Sequence, residues 1–424
     1  MGLQKVDWYS SGLVFFLSFF LVGVVFFYSV SSSGLGGVYY NGLGLRLDTV
    51  SFLLSLLSVC LWVSLVFFLK PTLSSGVFLF LSVFFSVCCY CTEHSLGFWV
   101  FYELSILFLL VLLVLDSPYP ERYLASWYLL GYVVFTSLPM LLCFIFLSLS
   151  SGGCNISLWC WSSYDIPGLF VFALLCVLFM TKVPFPPFQA WLPIVHAESP
   201  TAVSVCLSGY IMKLGVLGMF RFCSHVLPCF IFNSGYIVAV VGISVVLFLV
   251  ASRELDGKRW LAFLSLSHIS VVGLCFYSLG LESSQVPFYF CLGHGLSAGI
   301  VFVLLGCYYE VVGSRNWSVI KSALGGSLFL RVVSVMGIFT AASIPPTATF
   351  FCEVAVLQQS LLGFSGLSLL FCFYLFFSGL VPLFVLGFLL SRQSCVSVVG
   401  VSVWSYFSSV VFLLLWLYSV FLLV

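Results

Sequence analysis

Hydrophobic runs fill this chain, and polar positions fall mainly in the short gaps between them. About 20 mostly apolar residues suffice for a helix to cross a bilayer. Runs of that order follow one another at about 11–30, 47–69, 73–91, 95–115, 124–149, 166–196, 200–222, 232–251, 259–281, 286–311, 325–363, 366–391 and 400–423. The runs are long and continuous, unlike the short alternating strands of a membrane barrel. The pattern predicts an all-α, polytopic membrane protein with about 13 transmembrane helices. The first run is too long for the apolar core of a secretory leader, and no small-residue cleavage site follows it, so it is expected to remain as a membrane helix. The longest links, Ser31–Arg46 and Ser151–Tyr164, are too short for separate domains, which leaves residues 1–424 as a single transmembrane unit.

Two runs are interrupted by proline. The first carries Lys182-Val-Pro184, followed by Pro186, Pro187, Pro193 and Pro200; the second carries Ser343-Ile-Pro345-Pro346-Thr. Proline removes a backbone donor and stops a helix, and irregular backbone is tolerated at membrane depth only when buried in protein or lining a cavity. The two breaks lie five helices apart, which predicts an internal structural repeat. Repeat one would cover about 73–222 and repeat two about 232–391. Two adjacent repeats of five helices must be inverted relative to one another to thread the membrane.

Composition narrows the function classes. The chain is 62% hydrophobic and 6% charged, which no soluble domain can be, since about a quarter of such a chain is charged. The net charge of +1 and the lack of a basic cluster beyond Lys258-Arg259 exclude nucleic-acid binding as an expectation. The 17 cysteines show no zinc or iron–sulphur spacing and read as small apolar fillers. No dinucleotide-binding loop or haem attachment motif is present. The 48 phenylalanines, with abundant Cys, Gly and Val, have codons that can be rich in U and G, a bias frequent in organellar genomes.

Charges are so few that each can be weighed. Lys5, Asp7, Arg46, Lys70, Asp116, Arg122, Asp165, Arg315, Lys321 and Arg392 fall at run ends and read as interfacial. Glu198, just before Pro200, reads as a loop or cap residue. Glu103 lies within an apolar run, either as a neutral packing acid or as the partner of a buried lysine. Lys182 either snorkels to the interface or sits functionally at the break. Lys213 is at mid-span, where snorkelling is hard, and is expected to be functional, with Gly209, Gly215 and Gly218 nearby to let helices approach. Lys258 opens a run after the charged stretch 253–260 and is either solvated or drawn inward. His268 and His294 are core histidines or members of a relay that exchanges protons near neutral pH. Glu353 follows the second break in an apolar setting and is expected to be functional. A row of such groups suits proton transfer, because lysine's proton affinity depends on burial and on a nearby carboxylate.

Several of these residues recur in a fixed order of motifs: Phe101-Tyr-Glu103 and Pro120-Glu-Arg122; Lys182-Val-Pro184, Trp191-Leu-Pro193 and Val195-His196-Ala-Glu198-Ser-Pro200; Ile211-Met-Lys213-Leu-Gly215 and Gly218-Met-Phe-Arg221; Asp256-Gly-Lys258 and Ser265-Leu-Ser267-His268; His294-Gly-Leu-Ser297 and Tyr309-Glu310; Pro345-Pro346-Thr347 through Glu353. In this order and near this spacing the set resembles the chain 4 family of mitochondrial NADH:ubiquinone oxidoreductase, the antiporter-like membrane subunits of respiratory complex I. The match runs from about Asp48 onward. The resemblance implies a fold of two inverted five-helix repeats. It pairs Glu103 with Lys182, makes Lys213 the central-axis lysine and Glu353 the terminal acid, and places Lys258, His268 and His294 in the relay between them. It further implies a proton-translocating subunit of the mitochondrial inner membrane with no redox cofactor of its own. NADH, FMN, iron–sulphur clusters and ubiquinone would belong to the partner subunits, peripheral and membrane-bound.

The chain departs from that family in places. About 13 helices are found where 14 are usual, and the early position of Glu103 puts the missing one at the N-terminus. Gln189 stands where histidine is common, Ile194 where lysine is common, and Pro186-Pro187 where Tyr-Gly is common; Val216 and Cys352 replace glycines. Two other readings use the same residues: a stand-alone cation/proton antiporter, and a structural membrane subunit whose polar pairs never titrate.

Overall fold

In a bilayer the backbone N–H and C=O groups meet no water, so each apolar run must satisfy them internally and becomes a helix. The computed structural model describes residues 38–42, 44–69, 72–156, 159, 166–224, 232–278, 285–324, 328–362, 365–391 and 404–420. The predicted run at 11–30 and the run-end charges Lys5, Asp7, Lys70, Asp165 and Arg392 lie outside the described residues.

Every predicted run from 47 onward contains helix. In chain order these are α1 (Thr49–Leu69), α2 (Leu73–Cys91), α3 (Ser95–Asp116), α4 (Arg122–Ser151), α5 (Ile166–Lys182), α6 (Trp191–Glu198), α7 (Thr201–Cys223), α8 (Ser234–Ala251), α9 (Gly257–Ser278), α10 (Val286–Val312), α11 (Trp317–Leu324), α12 (Leu328–Ala341), α13 (Ala348–Leu362), α14 (Ser365–Leu390) and α15 (Trp404–Val420). Among the described residues nine helices are long and apolar enough to cross a membrane: α1 to α4, α7 to α10 and α14. The predicted broken runs are the pairs α5/α6 and α12/α13. Two elements were not predicted: the short helix α11 and an antiparallel hairpin of β1 (Val38–Gly42) with β2 (Leu45–Asp48) before α1. Polar side chains start several helices, as where Asn233 Oδ1 accepts the Tyr236 N–H at 2.8 Å. Gly313 ends α10 in the left-handed region (φ 71°), where its N–H reaches the Tyr309 carbonyl at 2.7 Å.

The interior is built from three helices. All of the apolar window of α10 is buried, as is 94% of that of α7 and 83% of that of α9, against 31% for α4 and 33% for α8. The outer helices face apolar surroundings, and the inner three face other helices. Close approach is secured where it was expected. A Cβ on Gly215 would come within 2.6 Å of Val183 Cγ2, and one on Gly209 or Gly218 would collide with Leu61 or Phe179.

The two breaks share one backbone pattern. At the first, Val183 N donates to Phe179 O, Phe185 N to Met180 O and Phe188 N to Phe185 O. At the second, Ala342 N donates to Ile338 O, Ile344 N to Phe339 O and Thr347 N to Ile344 O. The same three bonds recur with the same spacing, which aligns Pro345-Pro346 with Pro186-Pro187 and Ser343 with Pro184. Pro184 and Ser343 are the described non-glycine residues with positive φ. Carbonyls released by the first break are taken by side chains: the Trp191 indole donates to Thr181 O at 3.3 Å, and the Tyr236 hydroxyl to Pro186 O at 2.7 Å.

Away from the breaks, Asp48 at the start of α1 lies against Arg46 (3.3 Å) and Arg221 (3.5 Å), and Arg221 also donates to the Thr92 carbonyl at 3.0 Å. This joins the ends of α1, α2 and α7. Both Asp48 and the Arg221 side chain are buried. Asp48→Leu leaves Arg221 buried without its counter-ion, and a loss of about 3–5 kcal/mol is expected. Reduced recovery and lower thermal stability of the assembled protein would show it; unchanged stability would not fit this anchor.

Candidate functional site

Charged side chains are costly in the dry interior unless paired, so their positions are informative. Glu103 on α3 and Lys182 at the last residue of α5 form an ion pair, Oε1 to Nζ at 3.4 Å. The lysine stem also brings Nζ over the face of the Tyr102 ring, 4.9 Å from its centroid. Lys182 is buried and Glu103 mostly so. Glu103 thus has a buried lysine beside it, as one of its two readings requires.

Lys213 is wholly buried in α7. Its site is made by a π-helical turn at Leu207–Ile211, directly before it. Such a turn displaces the backbone ladder by one residue, and the Lys213 ammonium donates to the carbonyl of Ser208, five residues back. No charged partner contacts it among the described residues. Among the described residues no hydrogen bond joins Lys213 to Lys182, although Gly215 packs α7 onto Lys182 and Val183.

On the other side of Lys213 lie two histidines. His294 on α10 and His268 on α9 have ring centroids 5.4 Å apart, and α10 packs on the turn before Lys213, where a Cβ on Gly295 would come within 3.2 Å of the Gly209 carbonyl. His268 Nδ1 is 2.8 Å from the Tyr374 hydroxyl on α14 and 4.0 Å from Glu353 Oε1 on α13. Glu353 Oε1 also accepts from Ser343 Oγ at 3.3 Å, which ties the acid to the second break. His294, His268 and Glu353 thus form one line of neighbouring groups that starts beside the helix carrying Lys213. Among the described residues, His294 Nε2 and Ser265 Oγ have no hydrogen-bond partner.

Lys258 occupies a second arm. It sits in the first turn of α9, is buried, and donates to the Ser199 carbonyl at 2.6 Å. The solvated reading of this lysine is therefore overturned: Asp256 Oδ1 caps the helix through the Lys258 N–H at 2.9 Å, and the side chain turns inward from there. His196 on α6 is fully buried, stacks on Phe302 (5.0 Å), and has no hydrogen-bond partner on either ring nitrogen among the described residues. Glu198 ends α6, as its reading as a cap residue implies, yet it is buried.

Sequence reasoning missed three members of this site. His196 was visible only as part of a motif, although a histidine in a proline-bounded segment between two buried lysines was a signal. Tyr374 had none, being one aromatic residue in the run Phe371-Cys-Phe-Tyr374. Arg315 is part-exposed in a link, as its interfacial reading implies, and in addition pairs with Asp256 (3.4 Å) and donates to the Ala197 carbonyl. Of the other described run-end charges, Lys321 is surface-bound, donating to Ser391 Oγ at 2.6 Å.

Comparison with known proteins agrees with this geometry. The family model described as "NADH:quinone oxidoreductase/Mrp antiporter, TM" matches residues 92–380. NADH-ubiquinone oxidoreductase chain 4 of Locusta migratoria is 27% identical over 397 residues, covering 90% of this chain and 86% of that protein. A chain of respiratory complex I from Thermus thermophilus, solved with bound NADH, superposes with a TM-score of 0.80 at 22% identity, covering 90% of this chain and 85% of its own. A chain of the Mrp complex from Dietzia sp. DQ12-45-1b superposes with a TM-score of 0.75 at 18% identity, covering 89% and 74%. The matched region takes in both broken helices and every member of the buried line from Glu103 to Glu353, and the chain belongs to the NADH:quinone oxidoreductase/Mrp antiporter transmembrane family.

Proposed function

We propose that this chain is a proton-translocating, antiporter-like core subunit of respiratory complex I, acting in the mitochondrial inner membrane as part of a proton-pumping NADH:ubiquinone reductase. The observation that carries this reading is the buried line itself. Glu103 and Lys182 stand at the first break, Lys213 at the centre, and His294, His268 and Glu353 lead to the second break. A merely structural subunit has no need to hold so many titratable groups in its interior. A buried polar atom without a partner costs about 1–3 kcal/mol, and ordered water is the usual relief in protein interiors. Histidine nitrogens left open along the line are therefore the places to seat water between proton-exchanging groups.

The mechanism that fits is transfer along this line, with electron transfer and its cofactors located in partner subunits. A change delivered by a neighbouring subunit would alter the separation of Glu103 and Lys182, and with it the field felt by Lys213. The proton would then pass between Lys213 and Glu353 through His294 and His268, while His196 and Lys258 connect Lys213 to one membrane face. The recurring hydrogen-bond pattern at the two breaks supports two repeats, about 73–222 and 232–391. With short links the chain reverses at each crossing, so the two broken helices would run in opposite senses, as inverted repeats require.

Native electrophoresis of mildly solubilised membranes tests the assignment directly. The chain is expected to co-migrate with a very large band that stains for NADH dehydrogenase activity. Migration in a small band without that activity would overturn membership of such a complex and favour a free antiporter.

A further inference from the structure

The Lys258 arm ends at a cluster that none of the transfer steps above uses. Helix α6 stops at Glu198, before Pro200, which leaves its last carbonyls without helical partners. Three consecutive carbonyls there are taken by three separate elements. Arg315, from the link between α10 and α11, donates to Ala197 O; Ser117 Oγ, from the link between α3 and α4, donates to Glu198 O at 2.6 Å; Lys258 Nζ donates to Ser199 O at 2.6 Å. Tyr119 lies against both cations. Its ring has the Arg315 guanidinium 4.2 Å from its centroid and the Lys258 ammonium 5.1 Å away. Tyr309 holds the ring edge-on at 6.2 Å, and Asp256 fixes Arg315 by an ion pair of 3.4 Å.

The layer is thin. The side chains of Arg315 and Asp256 are 23% and 25% exposed, whereas Lys258, two residues along from Asp256, is 2% exposed. Burial pushes the Tyr119 phenol up to about 12, with Arg315 drawing it back down, so at physiological pH the ring is neutral and offers its negative face to both cations. Of the contacts described, those of the Tyr119 ring with Arg315 and with Lys258 connect the part-exposed side of the cluster to the buried ammonium.

We propose that Tyr119, Asp256 and Arg315 are a closed gate over the Lys258 arm, and that protons exchange with water at this membrane face when Arg315 is drawn off the ring. Because Arg315 and Lys258 both hang on the end carbonyls of α6, a shift of that half-helix would release them together and couple the gate to the break at Lys182. The inference rests on the reading of the buried line as a proton path, but its test does not require transport.

The lysines of the chain are Lys5, Lys70, Lys182, Lys213, Lys258 and Lys321. Reductive methylation of the native, assembled complex with formaldehyde and a borane, followed by peptide mass spectrometry, reads the access of each. Lys258 should methylate far more slowly than surface Lys321. Arg315→Met should raise the Lys258 rate by about tenfold, as loss of a charge-assisted contact allows, with Lys213 still protected. Tyr119→Leu should do the same, and Tyr119→Phe, which keeps the ring face, should not. Three results would overturn the gate: equal rates at Lys258 and Lys321 in the unaltered complex, no change in Arg315→Met and Tyr119→Leu, or a parallel rise at Lys213, which would make the cluster a clasp for the whole bundle. Methylation reports access alone, so normal pumping in a Lys213→Met enzyme would refute the transport reading without touching this measurement.

Discussion

Lys213→Met in the assembled complex is expected to remove most proton transfer through this chain while leaving the chain in place. Methionine nearly matches the length of the lysine stem and suits the apolar walls of α7. The ammonium makes a single described hydrogen bond, to the Ser208 carbonyl. Its loss leaves one buried acceptor open at about 1–3 kcal/mol, partly offset because a cation no longer has to be desolvated. Assembly should therefore survive. Transfer should not, because removal of a positioned proton-exchanging group slows such a step by about 10²–10⁴-fold. Sealed vesicles carrying the complex, followed with a pH-sensitive dye during NADH oxidation, give both rates at once. A reduced ratio of protons moved to NADH oxidised is the expected result. A ratio equal to that of the unaltered complex would exclude Lys213 from the path.

Much of this site was legible because charge is scarce. In a chain with 6% charged residues, a lysine at mid-span or a glutamate in an unbroken apolar run has few structural explanations. Lys213, Glu103 and Glu353 could therefore be singled out from position alone, and run length fixed the helices nearly as well. What could not be read depends on backbone detail or on contacts distant in sequence. The π-helical turn before Lys213 leaves no signature in Leu207-Ser-Gly-Tyr-Ile211, yet it places the carbonyl that holds the ammonium. Tyr374 is one ring among many until α14 packs beside His268. The equivalence of the two breaks was visible as prolines, but its register was not. Only the hydrogen bonds align Ser343 with Pro184, and so show which residue of the second break faces Glu353. Arg315 looked like an ordinary charge at a run end, and Lys258 could be solvated or drawn inward, because the end carbonyls that bind them belong to a helix far away in the sequence.

The Glu103–Lys182 pair separates a coupling role from a packing role. Glu103→Gln leaves the Lys182 ammonium, whose side chain is 4% exposed, without a counter-ion, and Lys182→Met leaves a mostly buried carboxylate in the same state. Each single change should cost about 3 kcal/mol, the lower end for breaking a buried pair because Glu103 keeps some exposure. The double variant Glu103→Gln/Lys182→Met strands neither charge. It should recover most of that loss and cost only about 1 kcal/mol, which is a coupling of about 5 kcal/mol between the two sites, read as thermal stability of the complex. Pumping should behave differently. If the pair is the element whose separation sets the field at Lys213, the double variant has nothing left to separate, and its proton-to-NADH ratio should stay as low as in either single variant. Stability restored without pumping is the expected outcome. Recovery of both would make the pair a packing device, and the trigger for Lys213 would then have to lie in the carbonyls and side chains of the break itself.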